Sequence, residues 1–164
     1  GVQMDIALMD KAANLASMET ALRETTSNGA RLTIFPECAV TGYCFDSLEE
    51  ALPYAESIPG ESSQFFEKLC RETNSFVIYG TLERVNDQLF NACVLVGPDG
   101  VIGSYRKIHL PFLGIDRFTT PGDRPFEVYD LGDIRVGMNI CYDGSFPESS
   151  RVMALGGADP AGGA

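Results

Sequence analysis

Three residues of different chemical type stand where apolar stretches of the sequence end. Glu37 follows Thr-Ile-Phe-Pro, Lys107 follows Tyr-Arg, and Cys141 follows the apolar run of residues 134–140. Active sites of open α/β sheets form at the ends of strands, so we expect these side chains to meet at one edge. There a carboxylate can take the proton of a thiol and pass it to a leaving amine, while an ammonium neutralises a tetrahedral oxyanion. The pattern predicts a base, a nucleophile and an electrostatic stabiliser.

The sequence around Cys141 is typical of a strand, a tight bend and a helix. A short polar segment follows the cysteine, and Pro147 and Glu148 then begin a helical pattern. Proline suits the first helical turn because its missing N–H leaves no bond unmade, and an acid suits the positive helix end. Backbone N–H groups at such an elbow can lower the pKa of a thiol and hold an oxyanion, for which the Tyr142 N–H is the candidate.

Each of these residues also has an ordinary structural explanation. A glutamate after proline is typical of a solvated loop, a strand-end lysine of a surface charge, and a single cysteine of a core position. His109, the only histidine, lies two residues from Lys107 and invites a Cys–His dyad. With Glu37 and Lys107 available, we favour a hydrogen-bonded structural histidine. We predict no metal site, because one histidine without clustered carboxylates or thiols cannot complete a coordination shell.

The residues that flank Glu37, Lys107 and Cys141 favour the catalytic interpretation over the structural one. The stretches read Gly-Ala-Arg-Leu-Thr-Ile-Phe-Pro-Glu (29–37), Tyr-Arg-Lys-Ile-His-Leu-Pro (105–111), and Asn-Ile-Cys-Tyr-Asp (139–143) followed by Phe-Pro-Glu-Ser-Ser-Arg (146–151). In this order they closely resemble the motifs of the carbon–nitrogen hydrolase (nitrilase) superfamily. Smaller similarities, among them Asn91 and Pro121-Gly122, extend the resemblance over nearly the whole chain.

The resemblance implies an α/β fold, an α-β-β-α sandwich, with residues 1–164 forming part of a single domain. It implies Glu37 as general base, Lys107 as oxyanion stabiliser and Cys141 as nucleophile, without a metal or organic cofactor. Members of the superfamily cleave non-peptide C–N bonds of amides, carbamoyl compounds or nitriles through a thioester-type intermediate. Many amide-cleaving members carry a further substrate-positioning glutamate beyond the lysine motif, and Asp116 is the nearest acid here. Many members pair through the helices after the elbow, which implies a homodimer or larger homo-oligomer.

Composition limits the partners and the compartment. The net charge is -11 and no Lys/Arg stripe is present, so nucleic acid is an improbable partner and a small molecule the expected one. No apolar run approaches the length of a membrane span, so we expect no membrane partner. The five cysteines are scattered without a Cys-x-x-Cys pair, which favours reduced thiols and a cytoplasmic protein.

Periodicity and turn residues predict the order of the elements. Strands are expected at residues 2–8, 31–35, 76–85, 89–96, 101–107, 126–129 and 134–140, and helices at 14–28, after a cap at Ser62 or Ser63, and from Pro147. Residues 110–125 are expected to form a long ordered loop. After Gly-Ala-Asp (157–159) the chain closes with Pro-Ala-Gly-Gly-Ala, where the superfamily domain continues. We therefore expect the C-terminal part of the fold to be missing.

Three functions are compatible with these features. The first is a hydrolase of a small amide or N-carbamoyl compound that acts through an acyl-enzyme on Cys141. The second is a catalytically inactive fragment or interaction module with the same fold. The third is a glutaminase domain that supplies ammonia to a synthetase.

Overall fold

The computed structural model describes residues 1–159; residues 160–164, which contain the predicted abrupt ending, lie outside the described part. The described helices are α1 (Lys11–Ser27), α2 (Leu48–Ala51), α3 (Glu61–Thr73) and α4 (Pro147–Leu155). The strands are β1 (Leu32–Ile34), β2 (Phe76–Val85), β3 (Gln88–Gly97), β4 (Gly100–Arg106), β5 (Val128–Asp130) and β6 (Arg135–Gly137). Short 3-10 helices lie at Leu52–Tyr54, Gly114–Arg117 and Cys141–Ser145.

The strands form two sheets that pack face to face. The first has the order β1-β2-β3-β4, with β1 parallel to β2 and the other pairs antiparallel. The second is the antiparallel hairpin β5-β6. Because side chains alternate along a strand, Val77 and Tyr79 of β2 pack toward α1 and α3, whereas Ile78 packs toward the second sheet. On the outer side of that sheet, α4 lies so close that a Cβ on Gly137 would be 2.6 Å from the sulfur of Met153. The layers are therefore α-β-β-α, and the predicted fold class is confirmed.

The segment predicted as the first strand, residues 2–8, is not a hydrogen-bonded strand, but its side chains are buried in the alternating pattern that was predicted. Residues 2–8 are extended and contact β1 through a bond from Val2 N to Ile34 O at 2.9 Å, without forming a ladder. Val2, Met4 and Ile6 still pack against the core below α1 and α3. Alternation reports which side chains are buried, and an extended segment can bury them without pairing its backbone.

Two other predicted boundaries also differ from the structure. Neither Ser62 nor Ser63 is the N-cap of α3: that position is Gly60, and the Ser63 hydroxyl, inside the helix, accepts from Gly60 N at 2.8 Å. The second sheet is short, since β5 and β6 pair over Val128–Asp130 and Arg135–Gly137 only. Residues 138–140 leave the ladder and lead into the 3-10 helix that begins at Cys141.

Buried thiols predict a loss of stability in alkaline solution. Burial raises the pKa of Cys93 and of Cys70 from 9.0 to about 12. Between those values the unfolded chain releases the thiol protons and the folded chain keeps them, so the free energy of unfolding falls as pH rises from 9 to 12. Each thiol contributes a slope of at most about 1.4 kcal/mol per pH unit. Urea unfolding between pH 7 and 11 measures the slope. Cys93→Ala should make it shallower, whereas Cys44→Ala, at an exposed thiol, should not; an unchanged slope in Cys93→Ala would contradict the prediction.

Candidate active site

Glu37 is held at the end of β1 by the neighbouring strand β2. Beyond the last residue of β1 the pairing with β2 continues, with Phe35 N donating to Ile78 O at 2.8 Å and Val40 N donating to Gly80 O at 3.2 Å. The segment that carries Glu37 thus bends over Gly80. Its side chain is 19% exposed, so one side of the carboxylate is buried and the other is accessible.

Gly80 is required for this close approach. A Cβ at this position would lie 2.6 Å from Pro36 O and 2.8 Å from the carbonyl carbon of Glu37, and would also collide with Cys38 N. All three are backbone atoms, which cannot rotate away. Only a residue without a side chain therefore lets the segment bend over the strand.

We expect Gly80→Ala to destabilise the protein and displace Glu37. Overpacking against backbone costs about 2 kcal/mol. Urea unfolding measures the effect on stability. Gly144→Ala is the control for stability, because a Cβ there meets no atom within 4 Å; equal stability of the two variants would contradict the prediction.

Lys107 follows β4 and points into the interior, where its side chain is fully buried. Its backbone N donates to Asn91 O at 2.8 Å, which extends the β3–β4 ladder by one residue. Its ammonium Nζ lies 2.6 Å from Glu37 Oε1 and 2.6 Å from Asp116 Oδ2. Burial by itself lowers the pKa of Lys107, but the hydrogen bonds to Asp116 and Glu37 outweigh it, and the net shift is upward. Lys107 is thus a buried cation between two carboxylates.

The other carboxylate, Asp116, is part of the buried network around Lys107. The 3-10 helix Gly114–Arg117 places its side chain, which has no exposed surface, against Lys107. Asn91 Nδ2 donates to Asp116 Oδ1 at 2.8 Å, and Tyr43 Oη donates to Asp116 Oδ2 at 2.9 Å. Burial, followed by the bond to Asp116, raises the pKa of Tyr43. The loop of residues 110–125 therefore delivers a buried acid to the site, although its composition is typical of solvated turns.

Cys141 is exposed at the elbow and has a strained backbone. Its φ is 43°, in the left-handed region that residues with a Cβ avoid. The expected lowering of its thiol pKa is wrong: burial of part of the side chain and the nearby Glu37 carboxylate raise the pKa, while Lys107 opposes them more weakly. The negative charge of Glu37 disfavours a thiolate beside it. Cys141 is therefore a protonated thiol next to a carboxylate that can accept its proton.

Asp143 connects the elbow at Cys141 to the segment after Lys107 by hydrogen bonds. Its fully buried carboxylate accepts from Ile140 N at 3.1 Å, Tyr105 Oη at 2.8 Å and His109 N at 3.0 Å. His109 Nδ1 is 2.7 Å from Asp143 Oδ1, so the histidine is hydrogen-bonded as predicted. The imidazole also stacks on Phe146 with ring centroids 3.9 Å apart. The Asp143 carboxylate thus links the residue before Cys141 to the segment that follows Lys107.

Tyr142 follows the cysteine and is 40% exposed, and its ring packs at 85° to the Phe146 ring. Its N–H belongs to the first turn of the 3-10 helix Cys141–Ser145, where helix geometry supplies no carbonyl partner from the same helix.

The structure brings Glu37, Lys107 and Cys141 to one edge of the sandwich and places Asp116 behind the lysine. Sequence reasoning gave no site role to Asn91 and did not single out Tyr43, both of which contact the carboxylates. Asn91 did carry a signal, since it is an amide within a run of buried residues in β3. Tyr43 carried none. Among residues 1–159 no three His, Cys, Asp or Glu side chains are grouped so that they could hold a metal ion. No helix in that part of the chain is long and apolar enough to cross a membrane.

Comparison with known proteins identifies the family of the chain. Residues 1–160 match the family model described as carbon-nitrogen hydrolase. A protein named nitrilase from Pyrococcus abyssi is 43% identical over 159 residues, which cover 96% of this chain and 60% of that protein. Omega-amidase NIT2 of Homo sapiens is 33% identical over 166 residues, which cover 95% of this chain and 58% of that protein. The chain thus spans 60% or less of the length of these two relatives.

Solved structures share the fold at lower identity. A carbon-nitrogen hydrolase from Helicobacter pylori superposes with a TM-score of 0.80 at 24% identity, over 90% of this chain and 53% of that chain. A double mutant of the amidase from Nesterenkonia sp. AN1, in complex with acrylamide, superposes with a TM-score of 0.78 at 22% identity, over 96% of this chain and 60% of that one. At these identities the likeness concerns the fold.

Proposed function

Because this chain belongs to the carbon–nitrogen hydrolase family, we propose that its protein hydrolyses the C–N bond of a small amide or N-carbamoyl compound. The observation that carries the proposal is the buried Lys107 ammonium 2.6 Å from the Glu37 carboxylate, at the same edge as the Cys141 thiol. These groups supply a cation, a base and a nucleophile, which acyl transfer requires. No step needs a metal or an organic cofactor.

In the first half of the reaction, the Cys141 sulfur attacks the carbonyl carbon while its proton passes to Glu37. The carbonyl electron pair moves onto oxygen, and this oxyanion is stabilised by Lys107 Nζ and by the N–H of Tyr142. An ammonium has three N–H donors, and Glu37 and Asp116 take two of them, so one remains for the oxyanion. The intermediate then expels ammonia or an amine, which leaves with the proton from Glu37. A thioester on Cys141 is left.

In the second half, water attacks the thioester carbonyl and gives its proton to Glu37. The oxyanion is stabilised by the same donors as before. The carbon–sulfur bond breaks, the carboxylic acid leaves, and the proton returns from Glu37 to the sulfur. The raised pKa of Cys141 supports this sequence, because a thiol that holds its proton needs a base for attack and is restored by the returning proton.

The direct test is the mass of the protein during turnover. The whole protein is mixed with a panel that includes simple amides, glutamine, ω-amides and N-carbamoyl amino acids, and is then acid-quenched. We expect released ammonia or amine and an added acyl mass on the peptide that contains Cys141. Cys141→Ser, which replaces the thiol by a hydroxyl, is the matched control for a protein that binds the substrate without acylation on sulfur. Amide turnover that persists in Cys141→Ala would contradict the proposal.

The alternative proposal is an inactive fragment or interaction module with the same fold. Ammonia release by the 164-residue chain, together with a cooperative melt, would rule it out. Turnover restricted to glutamine in the same panel would instead favour a glutaminase domain.

We further propose that the protein is cytoplasmic and forms homodimers or larger homo-oligomers. The five cysteines are all free, which supports a reducing compartment. Helix α4 exposes Val152 and Leu155, the latter at 82%, which supports a contact with a second copy. Analytical ultracentrifugation of the whole protein and of Leu155→Glu tests the dimer; sedimentation as a monomer would contradict it.

A further inference from the structure

Asn91 occupies a position in the site that the proposed reaction has not used. Its side chain lies on β3 and is almost completely buried, between the two carboxylates that flank Lys107. Nδ2 donates to Glu37 Oε1 at 2.6 Å and to Asp116 Oδ1 at 2.8 Å. Because Lys107 Nζ contacts the same two carboxylates, the four side chains form a closed ring of hydrogen bonds.

The orientation of the Asn91 amide is fixed by charge. With Nδ2 toward Glu37 and Asp116, both amide protons meet carboxylate oxygens. The flipped amide would direct Oδ1 at two anionic oxygens, with no proton between them. An amide is also the group suited to this place, because it supplies two donors without adding a second cation beside Lys107.

A second thiol supports that orientation. Cys38 follows Glu37 directly and is fully buried, and its sulfur lies 3.6 Å from Asn91 Oδ1. Its backbone φ is 51°, again in the left-handed region. Burial, followed by the charges of Glu37 and Asp116, raises the pKa of Cys38 well above its ordinary value. Cys38 is therefore an S–H donor to Asn91, not a second nucleophile.

We propose that Asn91, oriented by the Cys38 thiol, is a positioning residue that holds Glu37 and Asp116 on opposite sides of Lys107 and fixes the base for proton transfer. This inference rests on the proposed hydrolase function. Without the amide, Glu37 would keep its ion pair with Lys107 but lose the donor that restricts its rotation. Its ionised form would also lose a hydrogen bond.

The test compares Asn91→Leu, in which leucine keeps the branched shape of asparagine but has no donor, with Asn14→Leu. Asn14 is another buried asparagine, bonded to Ala7 O at 2.7 Å and Val40 O at 3.1 Å, and has no contact with the carboxylates. Both variants lose buried hydrogen bonds, so both should melt at lower temperature. For Asn91→Leu alone, we expect kcat to fall about tenfold to a hundredfold with little change in KM. The acid limb of its kcat/KM profile should move up by about one pH unit.

Thiol alkylation supplies a readout that needs no turnover. Iodoacetamide labelling of Cys141 is followed by peptide mass across pH 5–9, with the exposed Cys44 as the internal reference. We expect the pH profile of Cys141 labelling to shift in Asn91→Leu, because the Glu37 carboxylate that raises the pKa of the thiol is no longer held in place, and to stay unchanged in Asn14→Leu. If the wild-type protein hydrolyses nothing in the panel, the proposed function fails, and this labelling still decides the role of Asn91.

Cys38 variants test the same role in case Asn91→Leu does not fold. Cys38→Ala removes the donor to Asn91 Oδ1, and Cys38→Ser replaces it with a hydroxyl. We expect a smaller shift of the Cys141 labelling profile in Cys38→Ala, in the same direction, and recovery in Cys38→Ser. Labelling profiles that match the wild type in Asn91→Leu, or in Cys38→Ala where the former does not fold, would overturn the proposal and leave Asn91 as a structural residue.

Discussion

Replacing Lys107 by methionine is expected to abolish turnover and to destabilise the fold. Methionine fills the space but removes the cation from between Glu37 and Asp116, and the Asp116 side chain has no exposed surface. Breaking a buried ion pair by removing one partner costs about 3–5 kcal/mol, because the other charge stays buried without compensation. In the proposed mechanism Lys107 is an oxyanion donor, and loss of one such donor lowers turnover by about a hundredfold to a thousandfold. Urea unfolding and the amide assay measure both losses.

The stability loss in Lys107→Met should depend on pH in a defined direction. With no cation between them, one of the two carboxylates takes up a proton on folding. The folded state then binds more protons than the unfolded state, so the deficit relative to wild type shrinks as pH falls. Lys68→Met removes an exposed lysine from α3 and should change neither stability nor its pH dependence appreciably. A deficit that grows toward low pH would contradict this account.

A double substitution separates charge compensation from catalysis. Adding Asp116→Asn to Lys107→Met removes the fully buried carboxylate along with its cation. We expect part of the lost stability to return, since fewer uncompensated charges remain in the interior. Turnover should not return, because the oxyanion donor is still absent. Recovered turnover would mean that Lys107 acts only through Asp116.

The local elements were predictable because their signals are local. Residues 76–85 were predicted as a strand and form β2 with the same bounds, since turn residues at 86–87 and 98–100 separate three apolar runs. Helix α4 begins at Pro147, as the Pro-Glu pair predicts. The prediction of a strand at residues 2–8 was wrong because alternating apolar residues indicate which side chains are buried, and side chains can be buried without hydrogen bonds between strands.

The candidate site was only partly predictable, because its chemistry depends on contacts between distant residues. Motifs identified Glu37, Lys107 and Cys141 one by one. That Asn91 donates to both Glu37 and Asp116 follows from the register of β3 against β2, over which the Glu37 segment bends, and from the path of the loop after Lys107. The thiol pKa was predicted in the wrong direction because an elbow motif reveals the nearby N–H groups, whereas the charge of Glu37 is visible only in the assembled site.

Removing the acceptor at Asp143 is expected to release the elbow from the rest of the site. In Asp143→Leu the shape is roughly kept, but Ile140 N, Tyr105 Oη and His109 N lose their acceptor. A buried donor without a partner costs about 1–3 kcal/mol, so the summed loss is expected to be about 4 kcal/mol. Cys141, held at a φ of 43°, can then relax away from Glu37. Turnover should fall about a hundredfold.

A graded series shows whether the carboxylate acts through these bonds. Tyr105→Phe removes one of the donors and should cost about 1 kcal/mol, with a modest loss of turnover. Asp87→Asn, at an exposed turn, should have no measurable effect on either quantity. If Asp143→Leu lowers stability while turnover per folded molecule stays at the wild-type value, Asp143 supports the fold without positioning Cys141. If both quantities fall in Asp143→Leu, and to a lesser extent in Tyr105→Phe, the strain at Cys141 is maintained by the bonds that join it to the segment after Lys107.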